Sequence, residues 1–462
     1  MKKRIVATAG LLAIALAGQS AYAKSLEDVL KEKGVITEDD YKEIVKSRPY
    51  TYKPGQGFSF MTEDGKYRLT IGGQYQMRYD FLDLDSDTNG GVAQDYSKFQ
   101  FRRAKLLLSG NAFTKDLTYT MNINFANSNG TAGTTSSGGL LEETYLQYRL
   151  VDEAQFRFGQ DKVQFGRGFV TSSSKLQFVD VSNIANAFVP GYDTGLSLGG
   201  IILDGLINYN IGVYGGAGQN TFRTTNDNAF SARFVVNPLG PMKYSESDVE
   251  YSNKPLLSIA GSYFKDTLKY TSVAAPAVTM ESNNSYFTKA YSSSTSTPGG
   301  WFTAGQAAAL NKRGAAAAWR TGEHVYFDMF GADAAFKWRG FSLQGEYFLA
   351  LANGEVDHKE QIGQGFYVQS GYFVIPKTLE LAARYAYMDP NRSLNNDHWT
   401  ETTGAISWYI NEHNLKLQAD FTNIHRQRLL ATTGTRTTSP FTPASVKSTD
   451  DQLVRVQAQL LF

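Results

Sequence analysis

From Tyr67 onward the chain alternates. In YRLTIGGQYQMRYDF the odd positions Tyr67, Leu69, Ile71, Tyr75, Met77, Tyr79 and Phe81 are apolar or aromatic, while the even ones include Arg68, Thr70, Gln74, Gln76, Arg78 and Asp80. That period of two is the mark of a strand with two unlike faces. The same dyad returns in LTYTMNINF, INYNIGVY, FSLQGEYFL, LELAARYAYM and LKLQADF, and about sixteen such segments can be drawn. Their connections are of two kinds. TKD, VDEA, LDG, RG, IPKT and NEH are short, whereas long polar stretches run near 87–96, 127–140, 162–192, 268–324 and 427–450. Up-and-down strands of roughly ten residues, with tight turns at one end, long loops at the other and aromatic residues near the strand ends, predict an all-β transmembrane antiparallel barrel. A soluble sandwich also alternates, but the face that would have to be its core consists here of Arg, Gln, Asn, Thr, Glu and Gly, which cannot pack dry.

The first residues have a different texture. Lys2, Lys3 and Arg4 precede an apolar stretch from Ile5 to Ala17, and Ala21-Tyr22-Ala23 has the small-x-small form of a cleavage site, so residues 1–23 are expected to be a signal peptide. Residues 24–58 read as a short periplasmic helical hairpin and linker. Ser25 with Asp28 and Thr37 with Asp40 have capping-box spacing, Gly34 ends the first helix and Pro49 follows the second. The barrel then occupies 59–462. Its closing strand is DQLVRVQAQLLF, with Val454, Val456, Ala458, Leu460 and Phe462 on the lipid face and Arg455, Gln457 and Gln459 on the channel face; it is expected to pair with the strand that begins near Tyr67.

Composition sharpens this. Glycine (43), tyrosine (27) and phenylalanine (29) are abundant and cysteine is absent, which suits extended strands without a disulfide framework. Removing residues 1–23 takes away three basic residues and no acidic one, moving the formal net charge from +1 to −2. A near-neutral chain lacks the basic stripe of a nucleic-acid binder. After Ala23 there is no run of the ~18 apolar residues that a spanning helix requires, so any membrane crossing is by strands.

Three stretches carry a family resemblance: FQFRRAKLLLSGNAFTKDLTYTMNINFA, with its paired Arg102 and Arg103; YLQYRLVDEAQFRFGQDKVQFGRGFVTSSSKLQFVDVSNIANAFVPGYDTGLSLGG; and GFYVQSGYFVIPKTLELAARYAYMDP followed by ETTGAISWYINEHNLKLQADF and the terminal strand. Together they resemble the phosphate-selective porin O and P family of Gram-negative outer membranes, from about residue 60 to 462. The loop at 268–324 has no matching feature. The resemblance implies a sixteen-stranded, usually homotrimeric porin in outer-membrane lipid and lipopolysaccharide, whose third loop folds into the pore and whose lumen guides small anions. It implies no cofactor. The bare terminal phenylalanine is similar to the end signal that such barrels present for assembly.

Taking the polar parity of each strand as inward places Arg68, Arg78, Arg103, Lys105, Arg149, Arg157, Arg233, Arg384, Lys416 and Arg455 in the lumen, against Asp80, Glu143, Asp161, Glu346, Glu380, Glu401 and Asp420. Charged rings select ions by sign, so the modest basic excess suits anion passage. The loop near 162–192 is the expected constriction, with Lys162, Arg167 and Lys175 against Asp180. Its Gly166, Gly168 and serine run are placed to bring backbone N–H groups to an oxyanion. The candidate anion-guiding set is therefore Arg68, Arg78, Arg103, Lys105, Arg157, Lys162, Arg167, Lys175, Arg384 and Arg455, with Arg102 expected toward lipid or the rim.

Catalytic signals are weak. The five histidines form no i, i+4 pair, and SSSK at 172–175 has the serine-x-x-lysine spacing without companion motifs. GGAGQN follows a strand but opens no helix, against a dinucleotide site. The expected function is passive diffusion of small hydrophilic solutes, biased toward phosphate-like oxyanions. Alternatives are a general non-selective porin, a barrel that sheathes a partner such as a multihaem cytochrome, and a secreted carbohydrate-binding protein.

Overall fold

The computed structural model describes residues 26–41, 50–85, 95–126, 141–223, 225–274, 277–280, 301, 322–356, 360–393, 395, 397–429 and 446–462. The expected signal peptide, Ser25 and Pro49 lie outside these residues. The chain divides into two compact units, Met1–Thr51 and Tyr52–Phe462. In the first, a helix spans Leu26–Glu32 and Gly34 follows it at φ 68°, the left-handed conformation that stops a helix at little cost to glycine. The second turn is capped reciprocally. The Asp40 N–H donates to Thr37 Oγ1 (3.1 Å) and the Thr37 N–H to Asp40 Oδ2 (2.9 Å).

The second unit is a sheet closed on itself. After β1 (Tyr50–Lys53) and β2 (Gly57–Met61), the wall begins with β3 (Arg68–Asp83), β4 (Tyr96–Asn111), β5 (Leu117–Asn124) and β6 (Leu141–Val151). It continues with β7 (Ala154–Lys162), β8 (Tyr192–Ile202), β9 (Ile207–Tyr214), β10 (Ala229–Val236) and β11 (Leu256–Ala274), onto whose end β12 (Ala277–Met280) folds back. It is completed by β13 (His324–Trp338), β14 (Phe341–Gly354), β15 (Glu360–Ile375), β16 (Leu379–Asp389), β17 (Trp399–Asn411), β18 (Leu415–Leu429) and β19 (Val446–Leu461). β11 pairs with β13, every other wall neighbour is consecutive and antiparallel, and β19 pairs with β3 from Leu461↔Gln74 to Gln452↔Asp83. Among the described residues, sixteen strands thus form a barrel with no free edge, which a sheet in lipid requires.

The seam is held locally as well. Gly73 and Phe462 exchange both backbone hydrogen bonds (2.8 and 3.1 Å), and the Phe462 ring stacks on Tyr75 at 5.8 Å. That ring covers Gly73 so closely that a Cβ there would meet it at 2.4 Å.

The two faces of the wall are inverted relative to a soluble protein. Gln76, Gln457 and Lys416 are buried inside, while Tyr75, Met77, Phe81, Val456 and Leu460 are exposed outside. Trp338, Phe341, Tyr372 and Trp408 lie toward the turn end of that apolar band and Tyr326 toward its loop end, as interfacial girdles do.

The interior differs from expectation in two ways. Part of it is dry: Phe264, Phe327 and Phe348 point inward from the wall and pack with Val163, Phe165, Ile184, Phe188 and Trp301. The chain from 163 to 191 carries apolar side chains into the lumen, and these need apolar partners. The second difference is at the turn end. The β10–β11 connection is no tight turn but a stretch from 237 to 255 that folds inward, burying Met242, Glu246, Ser247, Asp248 and Val249.

Candidate functional site

The loop between β7 and β8 is fixed at both limbs. Gly166 (φ 76°) turns the chain into a single helical turn, Arg167–Val170, whose first amides point at the wall. The N–H groups of Arg167 and Gly168 donate to the two oxygens of Glu346, each at 2.6 Å. These glycine-flanked amides therefore hold an oxyanion as the sequence suggested, but it is the chain's own carboxylate. The space is tight: a Cβ on Gly168 would lie 2.8 Å from Glu346 Oε1 and 3.1 Å from Tyr367 Oη. Gly168→Ala is expected to cost about 1–3 kcal/mol, as overpacking does, measured as a lower denaturant midpoint of the detergent-solubilised barrel.

The descending limb is fastened by its backbone. Lys416 Nζ donates to Leu176 O (2.7 Å), Ser407 Oγ and Gln418 Nε2 donate to Gln177 O (3.1 and 3.0 Å), and the Val179 N–H donates to Asp420 Oδ2 (3.1 Å). Arg384 donates to Asp180 O (3.1 Å) while its guanidinium lies 4.4 Å from the Phe178 ring centre. The limb delivers Asp180 to the wall formed by β3 and β4.

There three guanidinium groups converge on one carboxylate. Arg78 Nη1 is 3.0 Å from Asp180 Oδ2, Arg102 Nε 2.9 Å from the same oxygen, and Arg103 Nη2 3.7 Å from Oδ1. Arg102 was expected to face lipid or the rim; instead it joins Arg103 inside. The reason is a β-bulge in β4, where Gln76 pairs with Arg103 but the next residue, Met77, pairs with Phe101. The extra residue breaks the alternation, so Lys98, Gln100 and Arg102 share the inward face with Arg103 and Lys105. Bulges re-aim side chains in this way. Burial pushes the Asp180 carboxyl up, but Arg102, Arg103, Arg78 and Arg455 outweigh it and hold this group well below the usual carboxylate range.

The inward side chains are not equally wet. On β4–β6 Arg102, Arg103, Lys105, Asn122, Asn124 and Glu143 are half-buried, whereas on β13–β18 Lys337, Glu346, Glu380, Arg384, Glu401 and Asp420 are buried. The more accessible inward side chains therefore lie on β4–β6, beside the Asp180 cluster, while the opposite half is filled by the loop, the 237–255 stretch and the apolar cluster.

This divides the sequence-derived candidates. Arg78 and Arg103 reach the cluster, and Arg78 also lies 2.7 Å from Asp80. Lys105 pairs with Glu142 on the same wet wall. Arg157 pairs with Asp161, donates to Gln147 (2.8 Å) and stacks over Tyr145. The others are elsewhere or occupied. Arg68 is exposed at the turn end, near Met61. Lys162 donates to Phe169 O and Thr171 O (2.8 and 3.3 Å). Arg167 is buried on Gln344, Ser258 and the Tyr244 ring. Lys175 is exposed on a short 3-10 turn, and Arg455 makes a two-oxygen fork with Asp420 at 2.7 Å each. Arg233 is buried against Asp333 (2.6 Å), and Arg149 is exposed beside Asp116 (2.7 Å). Most inward arginines and lysines hold the loop or neutralise buried acids.

A model of the family described as phosphate-selective porin O and P matches residues 70–462. An uncharacterised protein of Aquifex aeolicus (strain VF5) is 23% identical over 297 residues, 58% of this chain and 67% of that one. Among solved structures, the outer membrane channel DcaP of Acinetobacter baumannii superposes with a TM-score of 0.52 at 13% identity, covering 88% of this chain and all of that one. An anion-selective porin from Comamonas acidovorans does so with a TM-score of 0.52 at 11% identity, covering 86% of this chain and all of the other.

Proposed function

Because the chain belongs to the phosphate-selective porin O and P family, it is an outer-membrane porin of a Gram-negative bacterium, and we propose that the Asp180 cluster is where it favours anions. Small hydrophilic solutes diffuse through without covalent chemistry. The observation that carries the anion reading is the convergence of Arg78, Arg102 and Arg103 on a single carboxylate in the wet half of the lumen. Three guanidiniums against Asp180 and Asp80 leave a local positive excess, which a low-dielectric wall concentrates along the axis. Lys105 and Arg157 line the approach. The fold shared with an anion-selective porin supports the same reading. A sheath around a protein partner would need an open bore, and here Phe165, Phe188 and Trp301 fill one side of it. The assembly is read as a homotrimer, on the family's pattern, with its apolar band against outer-membrane lipid and lipopolysaccharide.

The test is the reversal potential of the purified protein in planar bilayers under a KCl gradient, repeated with phosphate added. The expected sign is that of chloride permeation, with phosphate reducing the chloride current. A potassium-selective potential, or no response to phosphate, overturns the reading and leaves a general porin.

A further inference from the structure

The stretch from 237 to 255 enters the lumen from the end opposite the pore loop, and the two meet. The Glu246 N–H donates to Lys175 O (3.1 Å), and the Gln177 N–H donates back to Glu246 Oε2 (2.7 Å), so one residue brackets Leu176 from both sides. Glu246 is itself buried. The stretch around it is rigidly seated. Ser247 Oγ donates to Glu380 Oε2 (2.8 Å), a carboxylate that also takes Gln177 Nε2 (2.6 Å) and Tyr409 Oη (2.6 Å). Lys337 Nζ donates to Ser247 O (3.0 Å), and Asp248 accepts from the Gly340 N–H (2.8 Å).

Lys416, Gln418, Ser407, Asp420 and Arg384, which also fasten this limb, stand on the barrel wall. Glu246 stands on a connection between two strands, at the periplasmic end if the tight turns face the periplasm. Gln177 lies three residues before Asp180. We infer that Glu246 is a positioning residue for the anion constriction: by bracketing Leu176 it sets how far Asp180 reaches toward Arg78, Arg102 and Arg103, and so lets a periplasmic connection fix the selectivity of a loop that comes from the opposite end. This rests on the constriction assigned above.

Reach and charge separate cleanly at this position. Glu246→Gln keeps the length and an acceptor oxygen but loses the charge; Glu246→Asp keeps the charge but falls one methylene short; Glu246→Ala loses both. With wild-type protein in parallel, the chloride-to-potassium permeability ratio and the phosphate concentration that halves the chloride current are measured for all three. Positioning predicts that the Gln variant stays within about twofold of wild type, while Asp and Ala shift both readouts together by about fivefold or more, a coupling free energy of order 1 kcal/mol. Asp near wild type with Gln resembling Ala would mean that Glu246 acts through its charge, and would overturn the inference. So would three variants indistinguishable from wild type. If the Ala barrel does not assemble, the Gln and Asp pair still decides. A wild-type channel without anion preference would instead sink the constriction reading, independently of Glu246.

Discussion

Replacing Arg102 and Arg103 together with glutamate is expected to turn a chloride-preferring channel into a potassium-preferring one. The change removes two positive groups that lie within 4 Å of Asp180 and adds two negative ones on the same inward face of β4. Arg78 would then face Asp80 and Asp180 without the two guanidiniums that now share Asp180 with it. Charged clefts change local counter-ion concentrations by about 10–10³-fold, so the permeability ratio should fall by at least about tenfold and the reversal potential should change sign. The singly substituted Arg102→Glu is the sharper variant. If strict alternation held, Arg102 would face lipid, and its loss would leave selectivity untouched. With the bulge, it should move the reversal potential about as far as Arg103→Glu does. Equal insensitivity of both single variants would remove the Asp180 cluster from the selectivity mechanism.

What the alternation made legible, and what it did not, follows from how far each feature is local. A period of two is imposed by the strand itself, so the inward acids Asp80, Glu346, Glu380 and Asp420 and the pairing of the last strand with the first could be read from sequence. Arg102 could not, because a one-residue bulge reverses the parity on one side of it, and nothing in FQFRRAKLLL marks where the extra residue falls. The roles of the basic residues were obscured for a different reason. Arg233, Lys416 and Arg455 have the right parity for a pore and Arg167 lies on the pore loop, but whether an inward arginine meets water or a carboxylate depends on what else occupies the lumen. Here the occupant is the loop from 163 to 191 together with the stretch from 237 to 255. The first was expected to fold inward; the second interrupts a series of tight turns without any periodicity of its own. One trace of it was available: NPLGPMKYSESDVEYSNKPL has three prolines and a glycine and is too long for a turn. The amide pair at Arg167 and Gly168 shows the same limit, since glycines announce that backbone N–H groups will be exposed to an oxyanion but not whose oxyanion it is.

Asp180→Asn should strengthen anion binding rather than weaken it. The amide keeps the size of the side chain, and the limb that carries it remains attached through Arg384 on Asp180 O and through Asp420 on the Val179 N–H. What disappears is the one negative charge that Arg78, Arg102 and Arg103 share, leaving their excess to a solute. The sulfate concentration that halves the chloride current is expected to drop about tenfold. That corresponds to ~1.4 kcal/mol, well inside the ~4 kcal/mol that two unit charges 4 Å apart exchange at an effective dielectric of 20. Acid should not imitate the substitution. With its pKa held well below the usual carboxylate range by the arginines, the Asp180 attraction is fully present above the ordinary carboxylate pKa and is lost only as pH falls through the depressed value. Wild-type protein at about pH 5 should therefore keep its weaker sulfate block, and sulfate is the probe of choice because its own charge is constant between about pH 5 and 7.5. Weaker block in Asp180→Asn would make the carboxylate part of the binding site instead of its competitor; wild type matching the variant at about pH 5 would mean that the three arginines do not hold Asp180 ionised.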